Sequence, residues 1–84
     1  MKLVFSPQAW DDYLYWQKAD KKLLQRINGL IKEASRSPYQ GTGKPESLKH
    51  ALAGYWSRRI DGEHRLVYKV SEDALLIAQL RFHY

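Results

Sequence analysis

The hydrophobic period of this chain changes once, and that change constrains the fold more than any other feature of the sequence. Between residues 7 and 36, apolar residues recur at the 3.6-residue spacing of amphipathic helices, and from residue 55 they follow the two-residue alternation of strands. The segment between them, residues 37–45, has two glycines and two prolines and is predicted to be a loop. This order of elements predicts helices packed against a sheet.

Two helices are predicted in the first half of the chain. Residues 2–5 read as a short strand, after which Ser6 is expected to cap a helix whose first residue is Pro7. Asp20 is expected to cap a second helix of about fifteen residues, which ends before Ser37 because the residue preceding a proline disfavours helical geometry. The short connection at Asp20 predicts an antiparallel helix hairpin.

Three strand-like segments follow at residues 55–60, 65–70 and 75–82, separated by short polar turns. Adjacent strands with short turns predict an antiparallel meander. With the first strand, the order is β-α-α-β-β-β, which predicts an α+β fold: two N-terminal antiparallel helices packed on one twisted, mainly antiparallel sheet. No repeat or linker interrupts the sequence, so residues 1–84 are predicted to form a single domain.

The composition excludes several kinds of site. The chain has no cysteine, which rules out disulfides and Cys-based metal sites, and its three histidines lack ligand spacing. We therefore predict no metal and no cofactor. The longest apolar run, residues 74–78, is far short of the ~20 residues that cross a bilayer, and the N-terminus lacks the features of a signal peptide. A cytoplasmic protein without a membrane partner is expected.

The charge balance favours a polyanionic partner. The 84 residues include 14 Lys and Arg against 9 Asp and Glu, a net charge of +5, although an excess of lysine can also serve solubility alone. Because two helices cover only one face of a sheet, the other face is expected to collect polar residues. The candidates are Lys49, Arg58, Arg59, Arg65, Arg81, His83 and Tyr84, with Glu46 and Glu63 among them.

Together these residue types supply what metal-free RNA cleavage requires. The reaction needs a base for the 2′-OH, an acid for the leaving 5′-oxygen, and cations for the pentacoordinate phosphate. Glutamate and histidine can fill the first two roles, the arginine fork matches phosphate oxygens, and tyrosine can stack on a base. Many small proteins contain all four types, so solvated strand arginines remain the alternative interpretation at this point.

Four sequence blocks occur in order along the chain. They are residues 10–16 (Trp-Asp-Asp-Tyr-Leu-Tyr-Trp), 41–48 (Gly-Thr-Gly-Lys-Pro-Glu-Ser-Leu), 55–68 and the terminal 81–84 (Arg-Phe-His-Tyr). In these blocks the chain resembles the YoeB toxins of the bacterial RelE superfamily of ribosome-dependent messenger-RNA interferases. The resemblance implies a microbial-ribonuclease-like, RelE-like fold, cleavage of messenger RNA in the ribosomal A site, and neutralisation by a cognate YefM-like antitoxin. It leaves open whether the free toxin is a homodimer.

The resemblance also implies roles for residues at matching positions. Glu46 corresponds to the general base, His83 to the general acid, and Arg65 to the stabiliser of the transition state. Tyr84 would orient the nucleotide as the fourth catalytic residue. The predicted phosphate-binding residues are Lys49 and Arg59, from the resemblance, with Arg58 and Arg81 added from the same predicted sheet face.

Several alternatives stay open. Glu63 is closer to Arg65 in the sequence and could share the base role, although a carboxylate beside a catalytic arginine would be a weak base. Arg65 could instead pair with Glu63 or Asp61. His64 alternates away from Arg65 along the strand and is interpreted as structural, and His50 as a surface residue.

Trp10 and Trp16 are expected in the core, or on a dimer or antitoxin surface, rather than stacked on RNA. The competing function is a non-catalytic basic module that binds ribosomal RNA and blocks translation sterically. Both functions explain the positive charge. Only the enzyme explains why Glu46, Arg65 and His83 occur together.

Overall fold

Two helices and five strands form two layers. A computed structural model describes all 84 residues, Met1–Tyr84. The elements in chain order are β1 (Lys2–Phe5), α1 (Pro7–Ala19), α2 (Lys21–Arg36), β2 (Glu46–Ser47), a 3₁₀ turn (His50–Leu52), β3 (Trp56–Arg59), β4 (Arg65–Ser71) and β5 (Ala74–Gln79). Neither helix is long and apolar enough to cross a membrane.

The five strands belong to one mixed sheet with the order β1-β5-β4-β3-β2. Strands β2 to β5 pair antiparallel, which confirms the predicted meander, and β1 pairs parallel with β5, with Lys2 opposite Ala74. The two helices form the connection between β1 and the rest of the sheet. The predicted α+β class is confirmed.

The strands differ from the sequence prediction at two places. Strand β2 was not predicted, because two residues are too few to show an alternating pattern. Strand β5 ends at Gln79 rather than at residue 82, because the Leu80 amide donates to the Asp12 carboxylate on α1 (2.9 Å) and Phe82 adopts a left-handed φ of 62°. The chain therefore leaves the sheet before its last five residues.

The predicted helix caps are confirmed. The Ser6 hydroxyl accepts the Ala9 amide at 3.0 Å, and an Asp20 carboxylate oxygen accepts the Leu23 amide at 3.0 Å. Ser6 also donates to the Ala78 carbonyl at 2.7 Å, which fixes the start of α1 to β5.

The core lies between the helices and the sheet. Trp16 is buried there and its indole N–H donates to the Leu80 carbonyl at 2.8 Å, whereas Trp10 is half-exposed and stacks on Tyr13. The expectation of a core position therefore holds for Trp16 alone. The buried core residues are Ala9, Trp16, Ile27, Leu30, Ile31, Ala34, Ile60, Leu66, Tyr68, Leu75, Ile77 and Leu80.

The loop between α2 and β2 passes close to β3 at Gly43. The Arg59 amide donates to the Gly43 carbonyl at 2.7 Å, and Gly43 has a φ of 87°. A Cβ atom at Gly43 would lie 3.1 Å from the Arg58 Cβ and 3.2 Å from a Leu30 methyl carbon. Both the backbone conformation and the close packing therefore require glycine at this position.

Replacing this glycine is expected to destabilise the protein. We predict that Gly43→Ala lowers the free energy of unfolding by roughly 1–3 kcal/mol, because alanine is strained at this φ and crowds two neighbours. Gly62→Ala is the matched control, since no atom lies within 4 Å of a Cβ built there. Urea denaturation measures both variants, and equal stability of the two would contradict the prediction.

Candidate active site

A small polar cleft lies where β2, β3 and the start of β4 meet the C-terminal residues. Its volume is about 150 Å³. The residues that line it are Lys44, Glu46, Ser57, Arg59, Arg65, His83 and Tyr84. The structure thus brings the four predicted catalytic residues into one cleft, together with Arg59.

Arg59 and Arg65 stand directly opposite each other on β3 and β4. Like charges in this position destabilise a sheet, and no carboxylate lies within ion-pair distance of either guanidinium. The Arg65 Nη1 donates instead to the carbonyls of Asp61 (2.8 Å) and His64 (3.0 Å), so the alternative ion pairs of Arg65 with Glu63 or Asp61 do not form. The two guanidinium groups create a positive site suited to an anion.

Glu46 is held at the side of this site by strand pairing and by the chain end. It lies opposite Ser57 in the β2–β3 pair. The Tyr84 hydroxyl donates to Glu46 Oε1 at 3.1 Å, and the Ser57 hydroxyl lies 3.5 Å from the Tyr84 oxygen. The carboxylate therefore has one fixed partner and remains accessible to a ligand.

The backbone of Phe82 positions His83 at the cleft. The Phe82 amide donates to His64 Nδ1 at 2.7 Å, and the Phe82 carbonyl accepts the Arg65 amide at 3.1 Å. The His64 ring also packs edge-on against Trp16, with 4.9 Å between ring centroids, which agrees with a structural role for His64. His83 itself is exposed, and its ring lies beside that of Tyr84.

The prediction that Arg58 binds RNA phosphate is wrong. Its side chain is fully buried, because adjacent strand residues point to opposite faces of a sheet and Arg58 faces α2 while Arg59 faces the cleft. It forms an ion pair with Glu33 and donates from Nε to the Tyr68 hydroxyl at 3.0 Å. No N–H group of Arg58 is therefore available to a substrate.

The same guanidinium fixes the loop that precedes Glu46. The Tyr68 hydroxyl, which accepts from Arg58, donates in turn to the Pro38 carbonyl at 2.6 Å, and burial raises the pKa of this tyrosine. The loop carbonyls that accept from Arg58 are those of Ser37, Gln40 and Thr42. Arg58 thus has a structural role in setting the path of the chain into β2.

Other predicted residues lie outside the cleft. The Arg81 guanidinium stacks on the Tyr15 ring, 3.5 Å from its centroid, and does not line the cleft. Glu63 is exposed and lies 3.6 Å from His64 Nε2, so the structure does not bring this alternative base into the site. Lys49 lines a neighbouring cavity that shares Glu46 and Tyr84 with the cleft.

Two cleft residues were missed by the sequence analysis. Ser57 stands two positions before Arg59, so strand alternation could have placed it on the same face. Lys44 belongs to the Gly-Lys-Pro-Glu segment. Its backbone has a left-handed φ of 53°, and nothing in the sequence indicates that this conformation would place it at the cleft. No three His, Asp or Glu side chains converge anywhere, so the structure offers no such ligand set for a metal ion.

Glu33 links the loop to α2 electrostatically. The Thr42 amide donates to its carboxylate at 2.7 Å, and this hydrogen bond, with those from the Thr42 hydroxyl and Arg58, lowers the pKa of Glu33 against the opposing effect of desolvation. A carboxyl group whose pKa is lower in the folded than in the unfolded state stabilises the fold at pH values above its pKa in the unfolded state. This stabilisation is lost as the pH falls through the folded pKa.

Acid unfolding is therefore expected to depend on Glu33. We predict that Glu33→Gln is less stable than the parent at pH 7 and that the difference shrinks as the pH falls below the ordinary glutamate pKa of 4.5. Chemical denaturation between pH 7 and pH 3 measures this. The exposed Glu72 provides the control Glu72→Gln. A stability difference for Glu33→Gln that does not change with pH would contradict the prediction.

Known bacterial toxins resemble this chain over its whole length. Residues 5–84 match the model of the YoeB-like toxin of bacterial type II toxin–antitoxin systems. Toxin YoeB of Escherichia coli strain K12 is 61% identical over 84 residues, which cover all of both chains. The YoeB/ParE toxin from Agrobacterium tumefaciens superposes with a TM-score of 0.97 at 53% identity, also over all of both chains.

Staphylococcus aureus YoeB has been solved both as a dimer and in a heterotetrameric complex with YefM. The TM-scores are 0.93 and 0.91, both at 49% identity and covering 100% of this chain and 98% of the other. Together the fold and these matches define an α+β toxin of a bacterial type II toxin–antitoxin system, as the sequence resemblance predicted. The chain belongs to the YoeB-like toxin family of bacterial type II toxin–antitoxin systems.

Proposed function

We propose that this protein is a metal-independent endoribonuclease that cleaves messenger RNA in the ribosomal A site and thereby inhibits translation. The observation that carries the proposal is the pair of arginines, Arg59 and Arg65, opposite each other beside Glu46 and His83. Two unpaired cations flanked by a carboxylate and an imidazole provide a phosphate site, a base and an acid in one cleft.

The proposed reaction is a transesterification within the RNA. Glu46 takes the proton of the 2′-OH, the 2′-oxygen forms a bond to phosphorus, and the bond from phosphorus to the 5′-oxygen breaks as His83 donates a proton to that oxygen. The products are a 2′,3′-cyclic phosphate, or the 3′-phosphate after its hydrolysis, and a fragment with a 5′-OH. The nucleophile comes from the substrate, so the protein contributes position, charge and proton transfer.

Arg65 would stabilise the charge that develops on the phosphate. Its Nη1 is held by two carbonyls, so the guanidinium is already oriented before a substrate binds. Arg59 would bind the same phosphate from the facing strand. Tyr84, hydrogen-bonded to Glu46, would orient the nucleotide, and Lys49 would bind an adjoining phosphate.

The open site fits a reaction that depends on the ribosome. Glu46 and His83 are both exposed, and the cleft of about 150 Å³ is too small to enclose more than the reacting group. A substrate held in place by the ribosome would compensate for this weak enclosure. Because messenger RNA on ribosomes is the proposed substrate, we place the protein in the cytoplasm.

The proposed protein partners follow from the relatives. Since S. aureus YoeB has been solved with YefM and as a dimer, we propose that this chain is neutralised by a YefM-like antitoxin and also forms a homodimer. The competing function, a basic module that blocks the ribosome without cutting RNA, accounts for the arginines but requires neither Glu46 nor His83.

Removing the proposed base tests the function. Glu46→Gln keeps the shape of the side chain but cannot accept a proton, so we expect cleavage to fall by roughly 10²–10⁴-fold while binding to ribosomes persists. Primer extension on messages bound to purified ribosomes measures new 5′ ends. The matched control is Glu63→Gln, which is expected to cleave normally because Glu63 lies outside the cleft.

Two results would contradict the proposal. Normal cleavage by Glu46→Gln together with an inactive Glu63→Gln would transfer the base role to Glu63. Inhibition of translation by the parent protein without any new 5′ ends would favour the non-catalytic module.

A further inference from the structure

A second cavity adjoins the catalytic cleft, and the mechanism above uses only Glu46, Lys49 and Tyr84 of the residues that line it. Its volume is about 560 Å³. Glu46 and Tyr84 line both cavities and so form the wall between them. The remaining residues that line the larger cavity are Ser47, Leu48, Lys49, His50 and Leu52.

The two cavities differ in size and chemistry. The cleft, about 150 Å³, contains both facing arginines and suits a phosphodiester group. The larger cavity falls within the range of about 300–1,000 Å³ that is typical of small-molecule sites. Two leucines and the Tyr84 ring give it apolar surface, while Glu46, Ser47, Lys49 and His50 supply polar groups. Apolar surface beside polar groups suits a nucleoside, whose adjoining phosphate would lie at Lys49.

His50 is held at this cavity in an uncommon backbone conformation. Its φ of 58° lies in the left-handed region, and the 3₁₀ turn that contains it is fixed by two hydrogen bonds, from Ala53 N to His50 O (3.0 Å) and from Leu52 N to Lys49 O (3.1 Å). Non-glycine residues adopt this region at a cost and often do so at functional sites. The His50 ring is exposed and makes no hydrogen bond within the protein, so it is free to contact a ligand.

The position of Glu46 determines which nucleoside would occupy the cavity. The 2′-OH that the base deprotonates belongs to the nucleotide on the 5′ side of the scissile bond. Glu46 borders both cavities, whereas His83, which would protonate the leaving group on the 3′ side, lines the cleft alone. The ribose on the 5′ side therefore falls next to the larger cavity.

We propose that this cavity binds the ribonucleoside on the 5′ side of the scissile phosphate and that His50 contacts its base as a specificity-determining residue. The inference rests on the proposed cleavage reaction for the direction of the RNA. It assigns a substrate position to His50, which the sequence alone indicated to be a surface residue.

Binding can be tested without cleavage. A nucleoside 3′-monophosphate carries the nucleoside and the phosphate in the proposed arrangement, and inorganic phosphate carries only the second part. In NMR titrations of the parent protein, the nucleotides are expected to shift the amide signals of residues 50–52 and of Arg65, whereas phosphate shifts the signals of Arg65 and Lys49 without those of residues 50–52. Identical patterns for nucleotide and phosphate would overturn the inference.

Selectivity provides a second readout. His50→Asn removes the imidazole but tolerates the left-handed backbone, so the fold should be retained. With ribosome-bound messages that differ at one nucleotide, we expect the relative cleavage rates to change by roughly three- to tenfold for substitutions on the 5′ side of the cut, the effect of one hydrogen bond. Rates for substitutions on the 3′ side are the internal control and should keep their order.

The outcomes separate this inference from the proposed function. If the parent protein cleaves RNA but His50→Asn keeps the same 5′-side preference, the nucleoside site is wrong and the nuclease stands. If no message is cut while nucleotides shift residues 50–52 and phosphate does not, the nuclease is wrong, and the cavity binds a nucleoside but loses its assignment to the 5′ side of a scissile phosphate.

Discussion

The guanidinium of Arg58 lies wholly inside the protein, between β3 and α2, where a charge is tolerated only with complete pairing. Glu33 supplies the opposite charge, Tyr68 accepts from Nε, and loop carbonyls from residues 37–42 accept the remaining N–H groups. In its observed conformation the loop satisfies all of these donors. Since the loop leads into β2, this ion pair also determines where Glu46 meets the cleft.

Alternation along the strands explains why two adjacent arginines have different roles. Arg58 points toward α2 and holds the loop, whereas Arg59 points toward the cleft and faces Arg65 across the strand pair. Each residue depends on the other's position, because the strand that buries one guanidinium necessarily exposes the next. The Arg58-Arg59 dipeptide thus places a stabilising buried charge on one face of the sheet. On the other face it places Arg59 beside Arg65, and these two cations have no ion-pair partner. Only this second face is suited to a ligand.

Periodicity and capping predict most of the fold, and both fail where the chain is irregular. The helices, their caps at Ser6 and Asp20, and the meander follow from spacing and local hydrogen-bonding groups. Strand β2 and the early end of β5 depend instead on tertiary contacts, such as that between Asp12 and Leu80, which have no signal in the sequence. For the site, resemblance supplied Glu46, Arg65, His83 and Tyr84. The prediction that Arg58 belongs to the same site was wrong because adjacent strand residues point to opposite faces of the sheet. The left-handed turn at His50 could not be predicted, because it produces no periodic pattern in the sequence.

The central claim is that the protein positions a phosphate so that the RNA attacks itself. The most direct test places a single 2′-deoxynucleotide on the 5′ side of an established cleavage position in a ribosome-bound message. Loss of cutting at that bond, with cleavage retained in the matched all-ribose message under the same conditions, is the predicted result. Cleavage of the deoxy-substituted bond would contradict the claim, because it would show that water, and not the 2′-oxygen of the RNA, is the nucleophile.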